Sequence, residues 1–417
     1  MGEISAPLAP GKTVPNLPEA EAAVAGFVAQ GLVPGAALAW RLADGPVQYH
    51  SAGELGFQSG QPVDERAIFR IYSMTKPVTG IAAMMLIEDG KLGLDQRLAD
   101  VLPAFAAMRV VTGDDPAETR PATNPITIRH LLTHTAGFGS AGMTLGNLYL
   151  KHGIAPGTRE RVPGPGDLPT PRTLAEMGAR LATLPLAAEP GTRFDYSVSL
   201  DVLGLVIQTV SGMDFDVFLQ ERLFGPLGMV DTGFSVSPDQ VDRFADLPEQ
   251  KGPLWTLADD PRHSRYSRPY YPAGGGGLVS TAHDYARFAG MLLNEGQLDG
   301  VQVLRPETVR LARSNLLPAG VDQVELPLGQ PLAGAGFGAG MSVQLAPGQV
   351  TGGMFAWPGE VPAGVFGWPG AAGTAVWIDP AARFFLVFLT QYWPSWLNPA
   401  MRPDLIAAAY RDLASQS

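Results

Sequence analysis

Segments patterned as strands lie at the two ends of this chain, while the long stretch between them is patterned mostly as helix. Apolar residues over 19–30 suit a helix, and 35–41 and 47–52 then read as strands around an Asp44-Gly45-Pro46 turn. The next strand-like runs come at 340–344, 371–378 and 384–390, before a final helix at 403–413. A lone hairpin cannot bury its apolar face, so the first two strands must find their sheet partners near the other end of the chain. That requirement predicts an α/β fold of the α+β type, an antiparallel sheet flanked by helices. The sheet domain is assembled from residues 1–72 and 272–417, and the fold carries an all-helical insertion within a mainly helical domain over 73–271. At 417 residues the chain is long enough for such a two-part body.

Within the insertion the best helical segments are 73–89, 128–133, 174–184, 200–210 and 215–223, and another helix is expected over 281–294. The first of these is apolar on nearly every face, through Met84-Met85-Leu86-Ile87, and ends at Gly90, which predicts a buried helix. Two loops, 113–125 and 156–171, are rich in Pro, Gly, Asp and Thr and are read either as binding walls or as plain surface.

Composition removes several function classes. Hydrophobic residues make up 46% and charged ones 17%, so the chain has a core to bury and is not a disordered tract. Lysine and arginine total 29 against 40 acidic residues, a net charge of -11 that offers no basic surplus for a phosphate backbone, so no nucleic-acid partner is expected. The absence of cysteine excludes disulfides, thiolate metal sites and cysteine nucleophiles. Residues 1–7 lack a basic region followed by an apolar run, and no apolar run approaches a membrane span, so the expectation is cytoplasmic residence without membrane contact. The oligomeric state stays open.

The chemistry begins at Ser73-Met74-Thr75-Lys76, which opens the buried helix. A spacing of three places the hydroxyl and the amine on one helix face, as a nucleophile and its base require. Burial disfavours the ammonium, so the pKa of Lys76 is expected to fall and the neutral amine to accept the serine proton. The helix N-terminus supports a developing oxyanion. Of five lysines only Lys76 abuts a long apolar helix. On local features alone, a first-turn serine cap beside a snorkelling lysine fits as well. Pro77 removes a backbone bond back towards Ser73 and implies a specially shaped first turn.

Four further segments accompany it: Ile126-Thr127-Ile128-Arg129-His130-Leu131-Leu132-Thr133-His134-Thr135-Ala136-Gly137, then Pro190-Gly191-Thr192-Arg193-Phe194-Asp195-Tyr196-Ser197. Next come Gly275-Gly276-Gly277-Leu278-Val279-Ser280-Thr281-Ala282 with Asp284, and Gly367-Trp368-Pro369-Gly370. In this order the five segments make the chain similar to serine hydrolases of the class C β-lactamase and penicillin-binding-protein fold, and in particular it resembles the family VIII carboxylesterases. The resemblance implies that Tyr196 is a second general acid/base beside Ser73 and Lys76, protonating the leaving alcohol; a packed aromatic capping a loop is the alternative. It implies an oxyanion hole made by the backbone N–H groups of Ser73 and Ala371, since Pro369 has no amide to give but the position beyond Gly370 does. Trp368, with Gly370 and Val198, is implied to contact substrate, Trp368 as a wall of the acyl or alcohol pocket or else as a plain buried tryptophan.

Two departures from the lactamase pattern narrow the substrate. The lactamase Tyr-x-Asn becomes Tyr196-Ser197-Val198, and Trp368 stands where the lactamase Lys-Thr-Gly has its lysine. Losing an amide anchor and a cation together favours a neutral ester over an anionic lactam. The expected activity is therefore hydrolysis of short-chain neutral esters through an acyl-enzyme, a small-molecule chemistry with no cofactor. The alternatives are an acyltransferase using the same acyl-enzyme, a weak β-lactamase or D-amino-acid peptidase, and a catalytically silent penicillin-binding-like module. No metal is expected: His130 and His134 have zinc-helix spacing, but residue 131 is leucine where glutamate would be needed. The glycine run 274–277 lacks a following Lys-Ser/Thr and is read as a backbone-packed turn rather than a phosphate cradle. No Gly-x-Ser-x-Gly elbow occurs.

Overall fold

The computed structural model describes residues 16–139, 145–154, 163–267, 271–326, 330–332, 334–347 and 361–416. In it the two ends of the chain meet in one antiparallel sheet of seven strands. The N-terminal part contributes helix α1 (Pro18–Ala29), β1 (Gly35–Leu42) and β2 (Gln48–Gly53). The middle contributes α2 (Thr75–Glu88), α3 (Ile128–Leu132), α4 (Leu174–Leu181), α5 (Ser199–Ser211) and the hairpin β3 (Leu247–Lys251) and β4 (Leu254–Asp259). The C-terminal part supplies α6 (Ala282–Leu293), β5 (Ala335–Phe337), β6 (Ser342–Gln344), β7 (Phe366–Gly367), β8 (Ala375–Asp379), β9 (Phe384–Thr390) and α7 (Met401–Ser415). The strands of the sheet run in the order β5-β6-β7-β8-β9-β1-β2, so the expected partnership of first and last segments is made directly between β1 and β9, with Ala36 opposite Thr390.

That central pair is apolar on both faces for a reason visible residue by residue. Successive side chains of a strand point to opposite sides. Ala37 and Ala39 of β1, with Phe385, Val387 and Leu389 of β9, face a large core shared with α2, α5 and α6. Ala36, Leu38 and Trp40, with Leu386 and Phe388, face a second core closed by α1 and α7. Covering both faces turns the usual alternation into a continuous apolar run. The two outer helices are joined by an ionic cap. Asp412 of α7 accepts the backbone N–H groups of Glu19 and Ala20 at 3.0 Å, satisfying donors that the first turn of α1 leaves open.

Three expectations are corrected. The strand expected over 371–378 starts only at Ala375, because residues 370–374 close a turn in which Gly370 N–H meets Thr374 O at 2.7 Å and Gly373 takes φ +96. The stretch 73–271 is mainly but not wholly helical: it holds the β3–β4 hairpin, and the segment 113–125 is mostly the turn and second arm of a hairpin pairing Arg109–Val111 with Thr119–Pro121. Strands β5 and β7 were not expected, being too short to show a period-two pattern. Residues 1–7 and the portion of 156–171 up to 162 lie outside the described residues. Among the described residues no single helix is long and apolar enough to cross a membrane.

Candidate active site

Ser73 lies in a single 3-10 turn, Tyr72–Met74, and the α-helix proper begins two residues later. This resolves the awkward proline. Pro77 is the third residue of α2, in the first turn, where a backbone N–H has no intrahelical acceptor to lose. The preceding residue, Tyr72, has φ +44, a left-handed conformation that costs a bulky side chain about 1–3 kcal/mol. It is held there by burial at 1% exposure, packed with Leu247 and Ala372. Every residue of α2 from Thr75 to Leu86 is buried, so Lys76 reaches its surroundings through a dry core, at 4% exposure.

Two donors converge on the serine. Lys76 Nζ donates to Ser73 Oγ at 3.1 Å and Tyr196 OH donates to the same oxygen at 2.7 Å. Lys76 Nζ also lies over the Tyr196 ring, 4.5 Å from its centroid. Its remaining partner is a backbone atom, the carbonyl of Gly275. Gly275 N–H in turn donates to Asp201 Oδ1 at 3.0 Å, at the start of α5. Burial pushes the Asp201 carboxyl up from its ordinary range, opposed by the Gly275 N–H and by Lys76. This explains the glycine run. A Cβ on Gly274 would stand 2.4 Å from Leu200 O, and one on Gly275 would stand 2.5 Å from an Asp201 carboxylate oxygen, so only glycine lets the loop pass between α2 and α5. The backbone-packed turn expected from the sequence is what forms.

The histidine segment and the tyrosine segment, separate in sequence, form one unit. Ala187 N–H donates to Gly137 O, Gly191 N–H to Thr135 O, and Asp195 N–H to His134 O. His134 Nδ1 accepts the Ser197 N–H at 3.1 Å, and its ring stands 4.7 Å from that of Tyr196. Burial, with Lys76 adding to it, holds the His134 pKa well below the ordinary value, so the imidazole packed against Tyr196 is neutral. Sequence reasoning weighed His134 only as a zinc ligand. Its role beneath Tyr196 carried no local signal, because its partner is a backbone N–H far along the chain. The other member of that pair, His130, accepts Thr127 N–H through Nδ1 in a capping box at the start of α3.

Trp368 is 1% exposed, in a T-shaped contact with Phe337 at 5.1 Å between ring centroids and with its Nε1–H directed to Tyr196 OH at 3.2 Å. Through this bond it helps to hold the tyrosine hydroxyl in place. Val198, 2% exposed, sits at the N-cap of α5 in the large core. Gly370 lies against the segment leading to the serine: a Cβ there would stand 2.4 Å from Ile71 O, and Thr374 Oγ1 donates to that carbonyl at 3.4 Å. Ala371 follows in the same turn and packs with Tyr72, which brings the two backbone amides named from the sequence to neighbouring segments. As a residue of a first helical turn, Ser73 has an N–H with no intrahelical acceptor. The arrangement can hold a serine oxygen between an amine and a phenol.

The Beta-lactamase family profile matches residues 20–411. An uncharacterized protein of Mycobacterium tuberculosis is 36% identical over 399 residues, covering 91% of each chain. The lovastatin esterase of Penicillium rubens is 32% identical over 335 residues, covering 78% of this chain and 79% of its own. Among solved structures, EstCE1, described as a hydrolase with promiscuous acyltransferase activity, superposes with a TM-score of 0.77 at 26% identity, covering 94% of this chain and 98% of its own.

Proposed function

The chain belongs to the Beta-lactamase family, and we propose that within it this protein is a serine carboxylesterase that hydrolyses short-chain neutral esters through an acyl-enzyme on Ser73. One observation carries the reading: Ser73 Oγ is held at once by Lys76 Nζ and by Tyr196 OH, at 3.1 and 2.7 Å. In the acylation step Ser73 Oγ bonds to the ester carbonyl carbon and its proton passes to Lys76. The carbonyl electrons move onto oxygen, facing the N–H groups of Ser73 and Ala371. As that oxygen re-forms the carbonyl, the alcohol leaves and takes a proton from Tyr196, which is replenished from Lys76. Water then repeats the sequence on the acyl-enzyme, releasing the acid and restoring Ser73.

The substrate class follows from what surrounds the reacting groups. Trp368, its neutral N–H given to Tyr196, stands where a lactamase has a cation, and Val198 has no amide to offer a lactam side chain. An uncharged ester therefore loses nothing here that an anionic lactam would need. A second reading, acyl transfer to an alcohol in place of water, is supported by the likeness to EstCE1 and uses the same acyl-enzyme. Incubation with a panel of esters and β-lactams, followed by intact-protein and peptide mass spectrometry, tests the proposal. The expected result is an acyl adduct on Ser73 from the esters, and none on a folded Ser73→Ala protein. Adducts at another residue, or unchanged turnover by Ser73→Ala, would overturn it. Adding a short alcohol and measuring ester product against acid separates transfer from hydrolysis.

A further inference from the structure

Arg402 is a buried arginine that the mechanism above does not use. It is the second residue of α7, 4% exposed, and its guanidinium lies behind the 370–374 turn. There Nη1 donates to Gly370 O at 3.4 Å and to Thr374 O at 3.5 Å. These bonds are long, but they are made by a cation inside a core, where charge–dipole attraction is little screened. The same turn is held on two other sides. Ile71 O lies against Gly370 and accepts Thr374 Oγ1, and Tyr392 N–H donates to Ala372 O at 3.2 Å. Within the turn, Gly373 N–H also reaches Gly370 O, at 3.2 Å.

The Gly370 carbonyl belongs to the same planar peptide unit as the Ala371 N–H. In a trans peptide the two point in opposite directions, so fixing the oxygen towards Arg402 fixes the N–H away from it. Donors on the carbonyl oxygen also draw electron density along the unit, which makes its N–H a stronger donor. We propose that Arg402 is a positioning residue for the oxyanion hole, orienting and polarising the Gly370–Ala371 peptide whose N–H faces the developing oxyanion. The inference rests on the reading of Ala371 as an oxyanion donor. It assigns to a side chain on the last helix a part in the reaction at Ser73, with no contact to substrate.

The test uses Arg402→Met, which keeps the length and removes charge and donors, and Arg402→Lys, which keeps the charge but not the fork. The full-length enzyme is acylated with an aryl ester that deacylates slowly and carries a 13C-labelled carbonyl, and the acyl carbonyl band is read by infrared difference spectroscopy. Removing an oxyanion donor outright costs about 10²–10³-fold in kcat. Because the Ala371 N–H remains, Arg402→Met should lose about 10-fold in kcat with KM within about twofold, and its acyl band should move to higher wavenumber as the carbonyl is less polarised. Arg402→Lys should fall between the two in both readouts. If Arg402→Met does not fold, Arg402→Gln takes its place with the same expected direction. A wild-type acyl band lying where the free ester lies would remove the oxyanion-hole reading, and this inference with it. A shifted wild-type band left in place by folded Arg402 variants would remove the role of Arg402 alone, whatever happens to kcat.

Discussion

Replacing Trp368 by phenylalanine isolates one hydrogen bond at the centre of the site. The indole N–H donates to Tyr196 OH at 3.2 Å, while the rings of Tyr196 and Phe337 lie 5.6 and 5.1 Å from the indole. Phenylalanine keeps an aromatic ring between those neighbours and deletes the donor. A hydrogen bond between neutral groups contributes about 0.5–1.5 kcal/mol, and one to a charged group about 1.5–3 kcal/mol. The phenol gains negative character only while its proton is in transit, so the bond strengthens in the transition state. Between the middles of these ranges the difference is about 1.2 kcal/mol, which corresponds to a fall in kcat of roughly 8-fold. The smaller ring also leaves a cavity, which should lower stability by about 1–3 kcal/mol and is measured separately by thermal unfolding. The assay is steady-state hydrolysis of p-nitrophenyl butyrate by wild type, Trp368→Phe, Tyr196→Phe and the double variant. Once Tyr196 has lost its hydroxyl, the tryptophan change should cost almost nothing further. A folded Trp368→Phe enzyme within twofold of wild-type kcat, or fully additive losses in the double variant, would refute the reasoning.

Lys76→Ala and Tyr196→Phe should each be severely impaired, and their combined loss should be far smaller than the product of the single losses because they act on one oxygen; a double-mutant cycle on kcat measures this, and simple additivity would separate them. The enzyme should prefer p-nitrophenyl butyrate to nitrocefin by roughly 10³-fold in kcat/KM, two missing anchors being worth several kcal/mol. A higher kcat/KM for nitrocefin would point to lactam contacts outside Trp368 and Val198. Burial holds His130 down to about 4 from 6.5, so the unfolded chain binds more protons between those values. Its contribution to stability is therefore complete above about pH 6.5 and lost as pH falls towards 4. Thermal unfolding across that range should show a falling Tm, with a shallower slope in His130→Asn, and an equal slope in that variant would show that His130 is not responsible.

The parts of this fold that the sequence revealed are those whose signal is local. β1 and β9 are long and continuously apolar, α2 is apolar on every face, and Ser73 and Lys76 share a turn. Tyr196 became legible only with the segments around it, since nothing in its own neighbourhood says that it approaches a serine 123 positions earlier. What stayed hidden was made by backbone or across long separations. The 370–374 turn looked like strand because its residues are small and apolar, and only its closing bond from Gly370 N–H to Thr374 O distinguishes it. The burial of Trp368 and the direction of its N–H depend on Phe337 and Tyr196, which come from other segments. Asp201 carries no local signal within the 200–210 helix, because its bond to Gly275 needs the glycine loop to be in place.

The pairing of β1 with β9 sets a timetable for synthesis. The strand that ends at Leu42 cannot meet its central partner until the strand beginning at Phe384 has left the ribosome. At roughly 5–20 residues per second, that interval is on the order of tens of seconds. Throughout it Ala36, Leu38 and Trp40 have neither β9 on one side nor helix α7 to cover them. A nascent chain with an uncovered apolar edge is a substrate for holding chaperones and a seed for aggregation. Soluble yield of this protein should therefore respond to expression temperature and chaperone supply more steeply than its finished core would suggest, because the danger lies in waiting rather than in the folded state.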